Sequence, residues 1–406
     1  MTRIAAIVYS NYPHDNRVRR EAETLVEADM SVDVICLRRE GELAEEIMHG
    51  VSVHRIAIKK ERGGKLSYIV KYFTFLVLAF AKLSILHFRK RYDIVHIHNM
   101  PDFLVFAALL PKLGGSMVML DLHDPVPELY MTKYSIGEES SIIRFMKLLE
   151  KWSIRFADRV ITTNIAFRDL FISRGCPEDK ISIVMNCPVE KIFLPPDGNI
   201  PDSGDGHADR FVLMYHGAIF ERHGLDTALD ALVLLRDRIP RLEFRIFGVG
   251  DFTDQFLKLV DKHGLREVVK YGGLVSWETI FREIRTIDIG IIPNKRSPFT
   301  EINMPVRIFE YLCLGKPVIV PRTKGILDYF DEDSIFFFEA GNAGSLAEVI
   351  LDIYQNPAHT QQLIERGRSV YDSYRWELQG RHLVEIVNGL MDRKHDPRAS
   401  DAGSNN

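Results

Sequence analysis

Cysteine is scarce in this 406-residue sequence, which holds only Cys36, Cys176, Cys187 and Cys313. No two of them form a C-x-x-C motif and no histidine cluster has zinc-like spacing, so we predict neither a metal centre nor a disulfide framework. A signal-peptide pattern is also missing, because Arg3 precedes only a short apolar segment. These absences favour a cytoplasmic protein with buried, reduced thiols.

Strong net charge and internal repeats are absent as well. The formal net charge is −4 with 27% charged residues, which argues against a general nucleic-acid binder. No segment repeats with the period of a solenoid. The hydrophobic content of 46% is that of a soluble globular protein, and 406 residues suffice for two domains of ordinary size.

A long hydrophobic run is lacking, although residues 68–88 come close to one. Lys71 and Lys82 interrupt this segment and leave ten uncharged residues, 72–81, which are too few to span a bilayer. One interpretation is a helix buried between sheet and loops. The other is an amphipathic helix that touches a membrane peripherally, with the cations at 89–91 beside the lipid headgroups.

Short apolar strands alternate with amphipathic helices in both halves of the chain, which predicts an α/β fold with doubly wound sheets. The first half lacks G-x-G-x-x-G, so a dinucleotide cofactor is not expected. A segment rich in glycine, proline and acids, 195–210, predicts a linker between a domain at 1–194 and a second domain at 211–374. An amphipathic helix is expected at 375–391 and a disordered tail at 392–406.

The most informative stretch is 298–320, which predicts a loop, a short helix and a buried strand. Asn303 and Pro305 are helix-start signals, and a helix start offers unpaired N–H groups to an anion such as a pyrophosphate. Glu310 lies five residues after Pro305, so its carboxylate stays near that end and can accept hydrogen bonds from ribose hydroxyls. The alternative is an exposed Glu310 that pairs with Arg307 at i,i+3.

Polar side chains also follow two predicted strands of the first half. Strand 93–97 delivers His98, and the next strand, 117–122, leads into a turn that contains His123, Asp124 and Glu128. Ligands sit at the carboxyl ends of parallel strands, so these side chains can bind a ligand. The alternatives are a structural hydrogen bond for His98 and a capped, solvated loop for the turn.

Glycine turns follow the predicted strands of the second half. Gly217 permits close approach of the backbone to a phosphate, and Arg222 can add a charge-assisted hydrogen bond to the same group. Gly248, Gly250 and Val275 would flank a ligand bound at this edge. Plain turn chemistry is the alternative for these glycines.

Several of these segments carry a family resemblance. Residues 305–318 resemble the donor-site signature of the retaining GT-B glycosyltransferases of family 4, in which a proline and a basic residue precede "fEY-A-G-PV". The helix start 15–25 (D-x-R-V-x-x-E-A-x-x-L), the turn 121–128 and the strand 157–163 resemble other segments of that family. The resemblance covers about residues 3–391.

The sequence departs from the family pattern at the cations and acids of the donor site. Ala218 and His223 stand where many members have an arginine and a lysine, and Arg222 is a candidate substitute for one of them. Ile302 replaces the first of two glutamates, with Glu301 one position out of register. Glu310 is therefore the better candidate for the conserved acidic role.

The resemblance implies a GT-B fold with two Rossmann-like domains that face a central cleft. It implies a hexosyltransferase that needs neither metal nor cofactor and moves a sugar, with retention, from a nucleotide-diphosphate sugar to a glycan or polyprenyl-linked acceptor. We expect UDP rather than GDP in the donor, and a role in cell-surface polysaccharide synthesis at the inner face of the plasma membrane. The alternatives are a GT-B sugar-nucleotide epimerase and a non-catalytic partner of a membrane complex that assembles glycans.

The resemblance also assigns roles to residues in three sets. The expected catalytic set is His123, Asp124, Arg222 and Glu310. The expected donor-binding set is Gly217, Gly248, Gly250, Val275, Asn303, Met304, Pro305, Val306 and Arg307. The expected acceptor-side set is Asp15, Arg17, His98 and Glu128, with a helix cap and a solvated arginine as the alternative for the first two.

Overall fold

The computed structural model describes residues 1–58, 65–190 and 210–395. The chain forms two compact units, one from residues 1–185 with 377–406 and the other from residues 186–376. The predicted linker lies outside the described residues except for its last residue, Arg210.

The first unit alternates strands and helices, and the strands expected at 93–97 and 117–122 lie within one residue of those bounds. Its elements are β1 (Arg3–Ile7), α1 (Asn16–Glu27), β2 (Ser31–Leu37), β3 (Glu45–Met48), β4 (Val51–Ile56), α2 (Lys65–Lys90), β5 (Ile94–His98), a 3-10 helix (Asp102–Ala108), α3 (Leu109–Leu113), β6 (Met117–Leu122), α4 (Val126–Tyr134), α5 (Ser141–Phe156), β7 (Arg159–Thr162), α6 (Ile165–Ser173), a 3-10 helix (Glu178–Lys180) and β8 (Ile181–Ile183).

The strands of the first unit form one sheet in the order β3-β4-β2-β1-β5-β6-β7-β8. Every pairing is parallel except that of β3 with β4. The order reverses between β1 and β5, and ligands of such sheets bind at the carboxyl edge beside the reversal. His98 ends β5 at this edge, opposite Asp121 of β6.

Helix α2 has two apolar faces, and only one of them is covered. Phe75, Ala79, Leu83 and Leu86 are buried at helical spacing. The helix contacts β1, β2 and β4 as well as the 3-10 helix Asp102–Ala108 and α3. The other face exposes large apolar side chains: Ile69, Val70, Phe73, Val77, Leu78, Ile85 and Phe88. Among the described residues, 69–90 is the one segment long and apolar enough to cross a membrane by length and composition. The interpretation of this segment as a helix buried between sheet and loops is therefore wrong for the exposed face.

The second unit repeats the alternation. Its elements are β9 (Phe211–His216), a 3-10 helix (Glu221–His223), α7 (Leu225–Leu235), β10 (Leu242–Phe247), α8 (Thr253–Lys262), β11 (Val269–Gly273), α9 (Trp277–Arg285), β12 (Ile289–Ile291), α10 (Arg307–Cys313), β13 (Val318–Pro321), α11 (Lys324–Leu327), β14 (Phe336–Phe338), α12 (Ala343–Gln355) and α13 (Pro357–Asp372). The strands pair in parallel in the order β11-β10-β9-β12-β13-β14, which reverses between β9 and β12.

The last helix, α14 (Trp376–His395), packs with the first unit from residue 377 onward. Gln379 accepts a hydrogen bond from the N–H of Met185 at 2.9 Å, and Lys394 contacts Asp93 at 2.7 Å. The helix continues to His395, so the tail expected from residue 392 is wrong for its first four residues. The ion pair of Lys394 gives the final turn a tertiary contact that composition does not reveal. Residues 396–406 lie outside the described residues.

Candidate donor and acceptor sites

Three strand ends of the second sheet pack backbone against backbone at its carboxyl edge. The N–H of Gly217 donates to the carbonyl of Phe247 at 2.9 Å, and that of Gly248 donates to Gly273 at 2.7 Å. A Cβ on Gly248, whose φ is +134°, would lie 1.9 Å from the carbonyl oxygen of Gly217, and one on Gly250 would lie 2.2 Å from that of Ile219. Close packing of these loops therefore requires glycine at 248 and 250.

Arg307, the first residue of α10, reaches the end of β9. Its Nη1 donates to the backbone carbonyl of His216 at 2.8 Å, and its guanidinium lies over the ring of Tyr215 at 4.6 Å. A Cβ on Gly217 would lie 3.1 Å from the same Nη1. The structure thus brings Arg307 and Gly217 together beside the reversal of strand order.

The predicted start of helix α10 is wrong by two residues. Val306 is the N-cap and the helix has seven residues, whereas Asn303 and Pro305 were expected to open it. The N–H of Asn303 donates to the carbonyl of Phe299 at 3.0 Å, so this residue closes the preceding turn. Met304 precedes a proline, which disfavours helical backbone at that position. Asn303, Met304 and Pro305 therefore lead into the helix rather than cap it.

Glu310 is buried, with 4% of its surface exposed. Its Oε2 lies 2.7 Å from Nε2 of His216. The alternative of an exposed Glu310 that pairs with Arg307 is wrong, because Arg307 bonds to a backbone carbonyl instead. Glu310, His216, Arg307 and Gly217 form one contiguous group, which we call the β9 cluster.

Further cations lie in the loops next to the β9 cluster. The Arg222 guanidinium stacks on Phe220 at 4.6 Å, and the carbonyl of Arg222 accepts from the N–H of Lys295 at 2.9 Å. Burial, and then the charge of Arg307, lower the pKa of His223 to about 3. His223 is therefore neutral near pH 7 and does not replace the cation that the family has there. Val275 lies in the turn between β11 and α9.

In the first unit, Arg17 is buried rather than solvated or open to an acceptor. It is 9% exposed and forms an ion pair with Asp121 across α1 and β6. Asp15 is the N-cap of α1 and accepts from the N–H of Val18 at 3.4 Å. The helix-cap alternative thus describes Asp15, whereas neither interpretation foresaw the burial of Arg17.

His98 is also buried, and its Nδ1 lies 2.9 Å from Oδ2 of Asp121. Burial, followed by the neighbouring His96 and Arg17, lowers the pKa of His98 well below its usual value. Burial likewise lowers the pKa of His96 to about 3 and raises that of Glu21, although Arg17 opposes the rise. The structure therefore gives His98 the structural hydrogen bond named as its alternative.

Glu21, His96, His98 and Asp121 place their ligand atoms within 4.8 Å of one another, which is the donor set of a divalent metal. Arg17 pairs with Asp121 through Oδ2, the same oxygen that His98 contacts. A dication at this position would have to displace a buried guanidinium. The side chains therefore fit an internal cation, Arg17, better than a metal ion.

His123 is the partly accessible member of this polar group, with 18% of its side chain exposed. The backbone N–H of His123 donates to Oδ1 of Asn99 at 3.2 Å. The amide nitrogen Nδ2 of Asn99 donates in turn to the backbone carbonyl of Asp124 at 2.7 Å. Burial, and then the charge of Arg17, lower the pKa of His123 well below its usual value. A neutral imidazole held at the carboxyl edge can donate one hydrogen bond to a sugar hydroxyl.

Glu128 is not available in the way expected of an acceptor-side residue. It is buried in α4, and its carboxylate is bound by Arg174, with Nη1 to Oε2 at 3.2 Å. Arg174 also contacts Glu150 of α5 at 3.1 Å. One guanidinium thus joins α4 and α5 through two buried carboxylates.

Sequence reasoning missed three residues of these sites: His216, Asp121 and Arg174. His216 stands directly before Gly217 at the end of β9, and this position was the available signal. The side chains that Asp121 and Arg174 contact come from other elements, so no local pattern reveals those ion pairs.

Two family descriptions match the chain. Residues 15–187 match "Glycosyl transferase 4-like domain" and residues 200–370 match "Glycosyl transferases group 1". A curated relative, the amylovoran biosynthesis glycosyltransferase AmsK of Erwinia amylovora, is 26% identical over 222 residues, which are 54% of this chain and 53% of that protein. The match thus spans about half the length of that relative.

Solved structures with the same fold cover nearly the whole chain. Sucrose-phosphate synthase from Thermosynechococcus elongatus aligns with a TM-score of 0.75 at 18% identity, over 97% of this chain and 100% of that one. HepE from Anabaena, solved in complex with UDP, aligns with a TM-score of 0.71 at 14% identity, over 96% and 100%. Both likenesses concern the fold, which is GT-B.

Proposed function

Because this chain belongs to the group 1 glycosyltransferases of family 4, we propose that it transfers a hexose, with retention, from a nucleotide-diphosphate sugar to a glycan or lipid-linked acceptor in polysaccharide synthesis. The observation that carries the proposal is the convergence of Gly217, Arg307 and Glu310 at the end of β9. The position beside the strand-order reversal is where ligands of doubly wound sheets bind. The name of the relative AmsK supports a polysaccharide product.

The main chemical task is to stabilise a departing diphosphate. In the proposed step the bond from the anomeric carbon to the diphosphate oxygen breaks, and a bond to the acceptor hydroxyl forms on the same face of the sugar. The hydroxyl proton passes to an oxygen of the departing phosphate. Arg307 and Arg222 supply fixed positive charge for the diphosphate, so the step needs no metal. Glu310 accepts from the ribose, and His123 donates to the sugar.

We propose UDP as the nucleotide of the donor, and the UDP complex of the structural neighbour HepE supports this choice. Calorimetric titration with UDP, GDP and their sugar conjugates tests the donor and the base together. The Glu310→Ala variant should bind the preferred nucleotide at least roughly tenfold more weakly, which is about 1.4 kcal/mol. Glu301→Ala is the matched control, because Glu301 pairs with Arg296 and should change affinity less than about twofold.

Failure of the well-folded wild type to bind any nucleotide sugar would overturn the proposal. The two alternatives are separated by product analysis with the donor that binds. An epimerase releases an isomerised sugar or free nucleotide without an acceptor. A non-catalytic partner binds the donor and yields no product with any acceptor extract.

We further propose that the first unit contacts an anionic lipid surface through α2, α3 and α5. These helices meet around the 3-10 helix Asp102–Ala108. Besides the apolar face of α2, large apolar side chains are exposed on the other two helices: Leu109, Leu113, Phe145, Leu148 and Trp152. Exposed cations accompany them at Arg89, Lys151 and Arg155. Apolar and cationic groups together suit the interface of an anionic membrane.

Vesicle flotation tests this contact. Lys82 and Lys90 are poor targets because they pair with Glu45 and Asp33. A triple variant, Phe73→Ser with Val77→Ser and Phe88→Ser, should bind phosphatidylglycerol vesicles at least tenfold more weakly than wild type. Leu274 is also apolar and exposed but lies in the second unit, so Leu274→Ser should leave vesicle binding unchanged. Arg89→Ser with Lys151→Ser should weaken binding at low salt only. No binding of wild type to anionic vesicles overturns the proposal.

A further inference from the structure

His216 contacts both Glu310 and Arg307 within the β9 cluster. It is the last residue of β9, it is 2% exposed, and both of its ring nitrogens have partners on α10. Nε2 lies 2.7 Å from Oε2 of Glu310, and Nδ1 lies 3.0 Å from the hydroxyl of Tyr311. Its backbone carbonyl accepts from Arg307 at 2.8 Å. One residue thus holds both the carboxylate and the cation of the proposed donor site.

The hydrogen bonds of Tyr311 restrict where the protons lie. The Tyr311 hydroxyl is 3.0 Å from the carbonyl of Met214, which can only accept, and 3.0 Å from Nδ1 of His216. If Tyr311 donates to Nδ1, the imidazole is neutral and carries its proton on Nε2. If Tyr311 donates to Met214, Nδ1 must carry a proton, and the contact between Nε2 and Glu310 needs a second proton.

In either arrangement a proton lies between Nε2 of His216 and Oε2 of Glu310. Oε2 is therefore occupied, and the plane of the carboxylate is fixed by a hydrogen bond from the neighbouring strand. Oε1 takes no part in this contact with His216. A carboxylate held in this way presents one oxygen in a fixed direction, which is what recognition of a single ribose hydroxyl requires.

From this geometry we infer that His216 positions Glu310, so that Oε1 accepts a hydrogen bond from the 2′ hydroxyl of the donor ribose. His216 is a positioning residue, since it acts through Glu310. The inference rests on the proposed function, because it assumes that a nucleoside diphosphate binds at the β9 cluster. It goes beyond that function by assigning ribose selectivity to a histidine outside the donor-site signature.

The backbone anchor of Arg307 makes the test selective. A substitution at 216 changes the partner of Glu310 but keeps the carbonyl that Arg307 uses. His216→Gln can retain an N–H donor close to the position of Nε2, whereas His216→Leu removes the donor and His216→Asn is too short to reach Glu310. His216→Asn also provides a polar variant in case the leucine variant does not fold.

The measurement is the ratio of calorimetric affinities for UDP and 2′-deoxy-UDP on full-length protein, or for GDP and 2′-deoxy-GDP if wild type binds GDP. Wild type should prefer the ribonucleotide at least tenfold. His216→Gln should keep most of that preference, and His216→Leu and His216→Asn should reduce it below about threefold. If His216 had a purely structural role, its replacement would lower the affinities for both ligands by the same factor and leave their ratio unchanged.

An unchanged ratio in His216→Leu and His216→Asn overturns the inference, as does a wild type that does not discriminate the two ligands. Both results leave the proposed transfer reaction standing, because the nucleotide still binds. If the wild type binds no nucleotide at all, the proposed function itself is overturned, because that proposal requires a nucleotide-diphosphate sugar to bind.

Discussion

Arg17 of α1 and Asp121 of β6 form a buried ion pair in the first unit. The pair stands among two histidines and a second carboxylate, all buried: His96, His98 and Glu21. Arg17 is thus the positive charge that compensates two buried acids. Its loss would leave Asp121 in a low-dielectric setting without this cation, and would leave Arg20 as the remaining cation that acts on Glu21.

Arg17→Met should therefore destabilise the protein by roughly 3–5 kcal/mol, the usual cost of breaking a buried pair from one side. Arg19→Ala is the matched control on the same helix, because Arg19 pairs with Glu23 near the surface and should cost less than about 1 kcal/mol. Urea unfolding of both variants provides the comparison. Equal midpoints would mean that the buried pair contributes no more than the exposed one.

Glu150 should contribute a loss of stability as pH rises from about 4.5 to about 8. Burial raises the pKa of this carboxyl from 4.5 to about 8 against the opposing charge of Arg174, which is shared with Glu128. Across this range the carboxyl of Glu150 binds more protons in the folded state than in the unfolded state, so its contribution to the free energy of unfolding declines with pH. The buried histidines, such as His96 and His223 with pKa values of about 3, contribute the opposite trend below about pH 6.5.

Glu150→Gln should remove that contribution from the measured slope, since the amide does not titrate. Urea unfolding at several pH values between 4.5 and 8 measures the slope in both proteins. Burial also raises the pKa of Asp102 to about 6, so some slope below pH 6 should remain in the variant. A slope in Glu150→Gln equal to that of wild type would assign the pH dependence to other groups.

Gly248→Ala should destabilise the second unit more than an ordinary glycine substitution. Gly248 and Gly341 both have positive φ, +134° and +80°, but a Cβ at 341 meets nothing within 4 Å. Gly341→Ala therefore isolates the conformational strain, about 1 kcal/mol. Gly248→Ala adds the clash with Gly217, worth roughly 1–3 kcal/mol more. If both variants unfold at the same urea concentration, the close packing between the loops that follow β9 and β10 does not add to the cost of the substitution.

His123→Ala should separate binding of the sugar from binding of the nucleotide. We expect the variant to lose about tenfold in affinity for the intact nucleotide sugar and little for the nucleoside diphosphate, because the proposed reaction gives His123 a contact with the sugar alone. His14→Ala, an exposed histidine of the same unit, is the control. Equal losses for both ligands would show that His123 acts on the fold or on the nucleotide.

The strand and helix order was predictable because the apolar periodicity is strong. For example, β6 occupies the range expected, 117–122. Helix ends were less predictable, as Asn303 shows, because its backbone is committed to a turn that only the structure defines. The predicted roles of Arg17 and Glu128 in an acceptor site were wrong for another reason. Their charges suggest solvent or ligand, and their burial depends on Asp121 and Arg174, which other elements supply.

The helix that returns to the first unit has a consequence for the order of events during synthesis. The carboxylate of Asp93, directly before β5, accepts hydrogen bonds from the backbone N–H of Arg3 and from the amine of Lys394. The side chains Leu383, Val387 and Leu390 are buried on the same unit. The first unit therefore lacks part of its core until residue 394 has left the ribosome, and the second unit, continuous in sequence, can complete its folding earlier.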